Sequence, residues 1–324
     1  MGEQEARTLR VAAVQMESEN GRVEANLERA TRFVDQAAEK GAGLILLPEF
    51  MPTGYVYTAA IWEGAETKHG PTAVWLRESA RRLGVWIGTS FLEAEGEHFF
   101  NTFVLTGPDG QEAGRVRKQT SALFESFFVK GDAGSHVIDT EFGKVGVGIC
   151  YENQLAYIPS MMCENAVDLL LMPHSAPTPS TSVLVSQKNA EDFNRGLKEL
   201  APHYARVLGI PAVLINKSGP WQTPVPGLPF LQQDSAFPGL STICDSDGTV
   251  KAQMGNEEGL IIEEVTLDPS RKTGRMPRCY GRWAVKNRIP IPAPQVIEAL
   301  GKTWYALSGE RKKQARRISA AGPR

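Results

Sequence analysis

Three side chains able to do acid–base or nucleophilic work stand just beyond strongly apolar runs: Glu49 after LILLP, Cys150 after VGVGI and His174 after DLLLMP. Between the first two lie Lys118, closing QEAGRVRK, and Glu125, within KQTSALFESFF. A thiol is mostly protonated at neutral pH, so Cys150 becomes a nucleophile only with a base, here Glu49, or a cationic neighbour, here Lys118. An attacked carbonyl then develops an oxyanion. The Lys118 ammonium suits it as a donor, and so does the Tyr151 N–H if Cys150 sits at a strand-to-helix turn. Each residue alone also has an ordinary reading. A cysteine in an apolar run is a small buried hydrophobe, Glu49 a loop carboxylate, and Lys118 one of three basic residues with Arg115 and Arg117. Glu125 fits such a reading least, because a carboxylate among aromatics is costly to desolvate without a cation, and Lys118 is the nearest. A Cys150/His174 dyad of thiol-protease type is the rival arrangement.

The elements that must hold these residues are legible in the hydrophobic rhythm. TLRVAAVQM (8–16) predicts a buried strand. Residues 22–40, apolar at Leu27, Ala30, Phe33, Val34 and Ala37, predict a helix ended by Gly41. GLILLPEF (43–50) is a second strand, Pro71 to Leu83 a helix, and 85–94 a third strand. HFFNTFVLTG and QEAGRVRK flank a PDG turn and predict a hairpin. From Val145 the rhythm returns: a strand to Cys150, a helix within 155–166, a strand 168–173, a helix within 188–208 and a strand 211–216. A Pro-rich loop is expected over 218–239, then strands in LSTICD, TVKAQM and LIIEEVTL. Two comparable halves of this kind imply an α/β protein of two mixed sheets packed face to face with helices outside. Because ligands of such sheets gather beyond strand carboxyl ends, Glu49, Cys150 and His174 are expected at one cleft. Gly146 and Gly148 give room for close packing beneath the cysteine.

The chain has 324 residues, 42% hydrophobic and 22% charged, enough for a sizeable core. The first residues lack a signal-like apolar core and no long apolar run occurs, so a cytoplasmic protein with no membrane partner is expected. Cys150, Cys163, Cys244 and Cys279 are scattered without metal-ligand spacing, and neither metal nor cofactor is expected. The formal charge of −2 hides an asymmetry: residues 270–324 hold 14 Lys+Arg against 2 Asp+Glu. That basic extension, 268–324, also carries Tyr280, Trp283 and Trp304. It is expected to dock on the acidic body of residues 1–267 or on a second subunit rather than on nucleic acid.

LLPEF and GICYE, with K-x6-E between them, resemble the carbon–nitrogen hydrolase (nitrilase) superfamily, over about residues 8–267. VAAVQM, AEKGAGLILLPEF, the GDA after Lys130, IPAVLINKSG and FPGLSTICDSDG extend the resemblance. It implies a four-layer αββα sandwich that dimerises, a catalytic triad at Glu49, Lys118 and Cys150, and a second glutamate at Glu125. It further implies hydrolysis of a small carboxamide or N-carbamoyl compound through a cysteine thioester, with nitrile hydrolysis as the alternative. Cys150-Tyr151-Glu152 lies between the Cys-Tyr-Asp of amidases and the Cys-Trp-Glu of nitrilases. Substrate choice is expected in loops 50–62, 121–130, 174–187 and 218–239. Tyr55, Tyr57, Phe124, Tyr151, His174, Trp221 and Phe230 are the candidate lining, and Arg195 and Arg206 the candidate partners for a substrate carboxylate. A non-catalytic interaction protein on a hydrolase scaffold is the alternative of another class. The three reactive residues kept together argue against it.

Overall fold

The computed structural model describes residues 5–181, 185–286 and 293–321. Part of the 174–187 loop (182–184) and of the extension (287–292 and 322–324) lies outside the described residues. In chain order the first half comprises β1 (Arg7–Gln15), α1 (Val23–Glu39), β2 (Leu44–Leu46), α2 (Pro71–Leu83), β3 (Trp86–Glu95), β4 (His98–Thr106) and β5 (Glu112–Arg117). The second half comprises β6 (Val137–Thr140), β7 (Gly143–Val147), α3 (Tyr157–Glu164), β8 (Leu169–Pro173), α4 (Gln187–Leu208) and β9 (Ala212–Ile215). After these come β10 (Ser218–Val225), β11 (Leu228–Pro238), β12 (Thr242–Cys244), β13 (Val250–Gln253), β14 (Gly259–Leu267), α5 (Ala293–Leu307) and α6 (Gly309–Ala320).

Two six-stranded mixed sheets result, ordered β14-β1-β2-β3-β4-β5 and β13-β12-β9-β8-β7-β6. Each has three parallel strands at its centre, β1-β2-β3 and β7-β8-β9, with antiparallel strands outside them. The period of two along a strand divides its side chains between two cores. Val11, Ala13, Leu44, Leu46, Phe103 and Leu105 face the second sheet and pack with Val145, Val147, Leu169 and Val213. Their neighbours Ala12, Val14, Ile45, Leu47 and Val104 face outward and are covered by Leu27, Ala30 and Val34 of α1 and Leu76 and Ala80 of α2. On the second sheet α4 brings Leu197, Leu200, Tyr204 and Leu208. The expected two-sheet sandwich with outer helices is what forms.

One expectation is overturned. Residues 218–239 do not form a loop but a two-stranded ladder, β10 with β11, in which Pro220 faces Ala236 and Pro224 faces Gln232. A two-stranded ribbon has only edge strands, so a proline there sacrifices no interior ladder bond. The strand read over 43–50 is also shorter, because the chain leaves the sheet before Pro48.

Beyond β14 the extension folds back on its own chain. Ala156 N–H donates to Arg282 O and Ala284 N–H to Gln154 O, each at 2.8 Å. Gly301 of α5 sits against Ser126 and Phe127 so closely that a Cβ would collide with the Ser126 hydroxyl. Tyr305 accepts the Phe99 N–H at 2.9 Å, and buried Arg311 bonds the carbonyls of Tyr305 and Glu97.

Candidate active site

The two sheets bring the carboxyl ends of β2, β5, β7, β8 and β9 to one place, and Glu49, Lys118, Cys150, His174 and Lys217 follow from those ends within three residues each. Pro48 ends β2 and turns the chain. Phe50 then adopts a left-handed backbone, φ 49°, uncommon for a bulky side chain. Four groups hold this turn. Glu49 N–H donates to His174 O (3.2 Å), and Ser175 Oγ to Glu49 O (2.6 Å). Phe50 N–H donates to Ser90 Oγ (2.9 Å), and Lys217 Nζ to Phe50 O (2.9 Å).

Cys150 lies at a second such turn, with φ 55°, opening a 3-10 turn Cys150–Gln154. A non-glycine residue held there costs on the order of 1–3 kcal/mol and persists only where its surroundings over-determine it. Asn153 supplies much of that constraint: its Nδ2 donates to Gly148 O (2.6 Å) and Cys150 O (3.2 Å). A Cβ at Gly148 would strike the Asn153 amide, so this glycine clears the space the amide fills. Its service is to the turn itself, a more specific one than the strand packing expected from sequence. Gly146 does serve packing, against Met162 and Val167.

Glu152 ties this turn to the lysine. One oxygen accepts Ile149 N–H (3.1 Å), and the other accepts Gln119 N–H (2.6 Å) and the Tyr157 hydroxyl (2.6 Å). His136 Nε2 lies 3.2 Å from the latter oxygen. Gln119 directly follows Lys118, so Glu152 fixes the separation of the two turns.

Lys118 is wholly buried and donates to Glu49 Oε1 and Glu125 Oε2, both at 2.7 Å. Glu49 Oε1 also accepts Asn101 Nδ2 (2.7 Å), its Oε2 accepts the Ser175 N–H (2.7 Å), and the Cys150 thiol lies near enough to influence its titration. Glu125 accepts the Ala122 N–H (3.2 Å) and lies 3.5 Å from the Tyr55 hydroxyl. Burial works against every charge here, and proximity decides the balance. Burial would lift the Glu49 carboxyl, but Lys118 and the thiol hold it below its ordinary value. Burial would lower Lys118, but Glu125 and Glu49 hold it well above its ordinary value. Glu125 stays raised, because burial and the Glu49 charge outweigh Lys118. Burial and the Glu49 charge push the Cys150 thiol well up. The resting arrangement is a neutral thiol beside an ionised carboxylate.

The other sequence candidates separate into groups. Tyr55, Tyr57, Phe124 and Trp221 make an aromatic box beside Glu125: Tyr57 lies 5.7 Å from Phe124, and Trp221 lies 5.5 Å from Tyr57 and 6.3 Å from Tyr55. Trp221 is buried and donates to Tyr55 O (2.8 Å), so it backs the box. Tyr151 turns its hydroxyl to Glu298 of the extension (2.8 Å). His174 is buried with Nδ1 2.8 Å from Met172 O, and burial pushes its pKa down to about 4. An imidazole held so low is a weak acceptor for a thiol proton, a poor fit to the dyad. Phe230 is exposed on the hairpin, and Arg195 pairs with Asp192 on α4.

Sequence reasoning missed Asn101, Ser175 and Lys217. An asparagine within HFFNTFV was a signal, because a buried strand amide needs partners. Lys217, in INKSG, is 1% exposed with no carboxylate bonded to it among the described residues, and burial pushes it down to about 7. Among the described residues no group of three or more His, Cys, Asp or Glu is arranged to hold a metal, and no helix is long and apolar enough to cross a membrane.

The carbon-nitrogen hydrolase family model matches residues 10–275. The chain belongs to that family. A protein named nitrilase from Pyrococcus abyssi is 35% identical over 148 residues, 44% of this chain and 56% of its own. An omega-amidase of Xenopus laevis is 32% identical over 163 residues, covering 46% of this chain and 57% of its own. The chain thus spans little more than half the length of these two relatives. An N-carbamoylputrescine amidase of Solanum lycopersicum is 26% identical across 81% of this chain and 87% of its own. Among solved structures, a carbon-nitrogen hydrolase from Helicobacter pylori superposes with TM-score 0.68 at 19% identity, over 82% of this chain and 91% of its own. An amidase from Nesterenkonia sp. gives 0.65 at 22%, over 81% and 91%. At such identities these structures speak for the fold.

Proposed function

We propose that this carbon-nitrogen hydrolase is a cytoplasmic amidase that cleaves a small carboxamide or N-carbamoyl compound through a thioester on Cys150. The observation that carries the reading is one ammonium, Lys118, held at 2.7 Å by both Glu49 and Glu125, with the Cys150 thiol close enough to Glu49 that each shifts the other's titration. In this reading the sulfur attacks the carbonyl carbon as its proton passes to Glu49. The oxyanion receives the Lys118 ammonium and the Tyr151 N–H. The C–N bond then breaks as Glu49 returns the proton to the departing nitrogen, giving ammonia or an amine and the thioester. Water, deprotonated by a carboxylate of the pair, attacks the thioester and releases the acid and the thiol. Glu125 keeps Lys118 charged and in place. Four free cysteines suit a reducing compartment.

The box of Tyr55, Tyr57 and Phe124 favours an apolar or planar group on the substrate. The names of the relatives, omega-amidase and N-carbamoylputrescine amidase, support amides and carbamoyl compounds; nitrilase, borne by another, makes nitriles the second class to assay. The protein is incubated with carboxamides, N-carbamoyl compounds and nitriles, and ammonia is measured beside Cys150→Ala. Turnover on amides lost in the variant supports the reading. Undiminished turnover in the variant sinks the mechanism, and turnover on nitriles alone selects nitrile hydrolysis. No turnover on any substrate leaves the interaction-protein alternative.

A homo-oligomer is part of the proposal. Val296, Leu300, Trp304 and Leu307 form an exposed apolar row on α5, whose only charged residues are Glu298 and Lys302, so two such faces meet with little repulsion. Light scattering of Trp304→Glu beside the native chain tests it. Equal masses refute this face as the contact.

A further inference from the structure

The basic extension reaches both catalytic turns. Its segment at Arg282 to Ala284 pairs with the residues that follow Cys150–Gln154, and α5 lies on the Leu123–Phe127 turn that carries Glu125. At their junction is Glu298, 5% exposed, whose carboxylate accepts the Tyr151 hydroxyl at 2.8 Å and three contacts from the Arg282 guanidinium at 3.1–3.2 Å. The Tyr151 ring meets Trp283 edge-on at 6.0 Å, and Arg282 lies 5.0 Å from the Trp283 ring. Tyr151 is the residue after the nucleophile, directly following the left-handed Cys150 turn, and its N–H is the one the amidase reading assigns to the oxyanion.

We propose that the C-terminal extension is a positioning part of the catalytic centre, in which Glu298, braced by Arg282, anchors the Tyr151 hydroxyl and so fixes the N–H that receives the oxyanion. The inference rests on the amidase reading above. A hydroxyl held by a carboxylate makes a charge-assisted hydrogen bond, and a ring fixed at its far end leaves its own backbone little room to rotate. Preorganised donors act only when their placement is exact to a fraction of an ångström. Glu298 touches no reacting atom; it acts through Tyr151. An ordinary surface ion pair would not need burial or a tyrosine between itself and the site.

Two rates separate this role from simple anchoring. Acylation by an amide, followed by intact mass in a rapid quench, needs the oxyanion donor; alkylation of Cys150 by iodoacetamide needs only the thiol. Tyr151→Phe removes the hydroxyl while Arg282–Glu298, Gly301 on Ser126 and Tyr305 on Phe99 still hold the extension. Acylation is expected to fall about tenfold, the worth of one well-placed hydrogen bond, with alkylation unchanged within about twofold. Glu298→Gln, which still accepts from the hydroxyl, is expected to retain more acylation than Glu298→Leu. Equal acylation in native and Tyr151→Phe protein overturns the positioning role and leaves the amidase reading standing, as does a parallel fall in both rates. Native protein that is alkylated at Cys150 but acylated by no amide overturns both.

Discussion

Glu49→Gln tests the charge balance of the site most sharply, because it should lower amide turnover while making the Cys150 thiol easier to ionise. The glutamate oxygens accept three groups, Lys118 and Asn101 at Oε1 and the Ser175 N–H at Oε2, and the thiol lies beside them. A glutamine keeps the shape but has one acceptor oxygen. If that oxygen keeps Lys118 and Asn101, the new NH2 faces the Ser175 N–H and leaves a buried donor unpaired, at a cost of about 1–3 kcal/mol. The base is gone as well. Loss of a positioned general base slows proton transfer about 10²–10⁴-fold, or roughly 3–5 kcal/mol of transition-state stabilisation. The negative charge that raised the thiol is also removed while Lys118 stays, so the Cys150 pKa should move down towards its ordinary value. The assay pairs amide turnover by ammonia release with the pH dependence of iodoacetamide alkylation. Turnover should fall by those orders of magnitude while the alkylation midpoint shifts to lower pH. A midpoint that stays or rises, or turnover above about a tenth of native, refutes Glu49 as the charge beside the thiol.

Other consequences follow from the same geometry. Glu125→Gln removes one of the two carboxylates that hold Lys118, and the acyl-enzyme should accumulate in intact mass under steady turnover; an unchanged adduct level counts against Glu125 in deacylation. Gly148→Ala sets a methyl against the Asn153 amide and should lower stability by about 1–3 kcal/mol with loss of activity, read by urea unfolding and turnover. In the proposed mechanism Glu49 is the general base and must be ionised, and it is held below its ordinary value. On the acid side, kcat/KM should therefore persist as pH falls into the usual carboxylate range and drop only beneath it, a limb that stopped-flow pH jumps resolve. An acid limb near neutral pH would point instead to a group such as Lys217, pushed down to about 7.

Much of the fold was legible because its parallel strands are buried on both faces. Runs such as LILL and DLLLM carry that signal without any tertiary information. The helices at 22–40 and 71–83 were readable because one face of each meets a sheet and the other meets water. The hairpin at 218–239 was not, since its prolines signal a loop and only the absence of outer strands makes them harmless. The candidate residues were picked out by their place after apolar strands, and the order LLPEF, K-x6-E, GICYE carried the family. What surrounded them was less visible: Ser175 contributes a backbone N–H, which has no residue-type signature, and Lys217 reads in sequence as one more basic residue.

By itself the sequence determined the strand-and-helix rhythm, the family and the presence of a carboxylate, an ammonium and a thiol at strand ends. Local patterns record burial and periodicity, and those are properties of neighbours along the chain. Only the tertiary structure decided the electrostatic order of the site. Glu49 and Glu125 share one lysine at equal distance, yet one carboxyl is lowered and the other raised. Burial opposes both charges, but at Glu49 the lysine, the thiol and His174 outweigh it, whereas at Glu125 the Glu49 charge adds to burial and together they outweigh Lys118 and the Ala122 N–H. The basic extension changed its meaning in the same way. Its charge was plain from composition, but its reach to Tyr151 through Glu298 depends on contact between residues 147 positions apart.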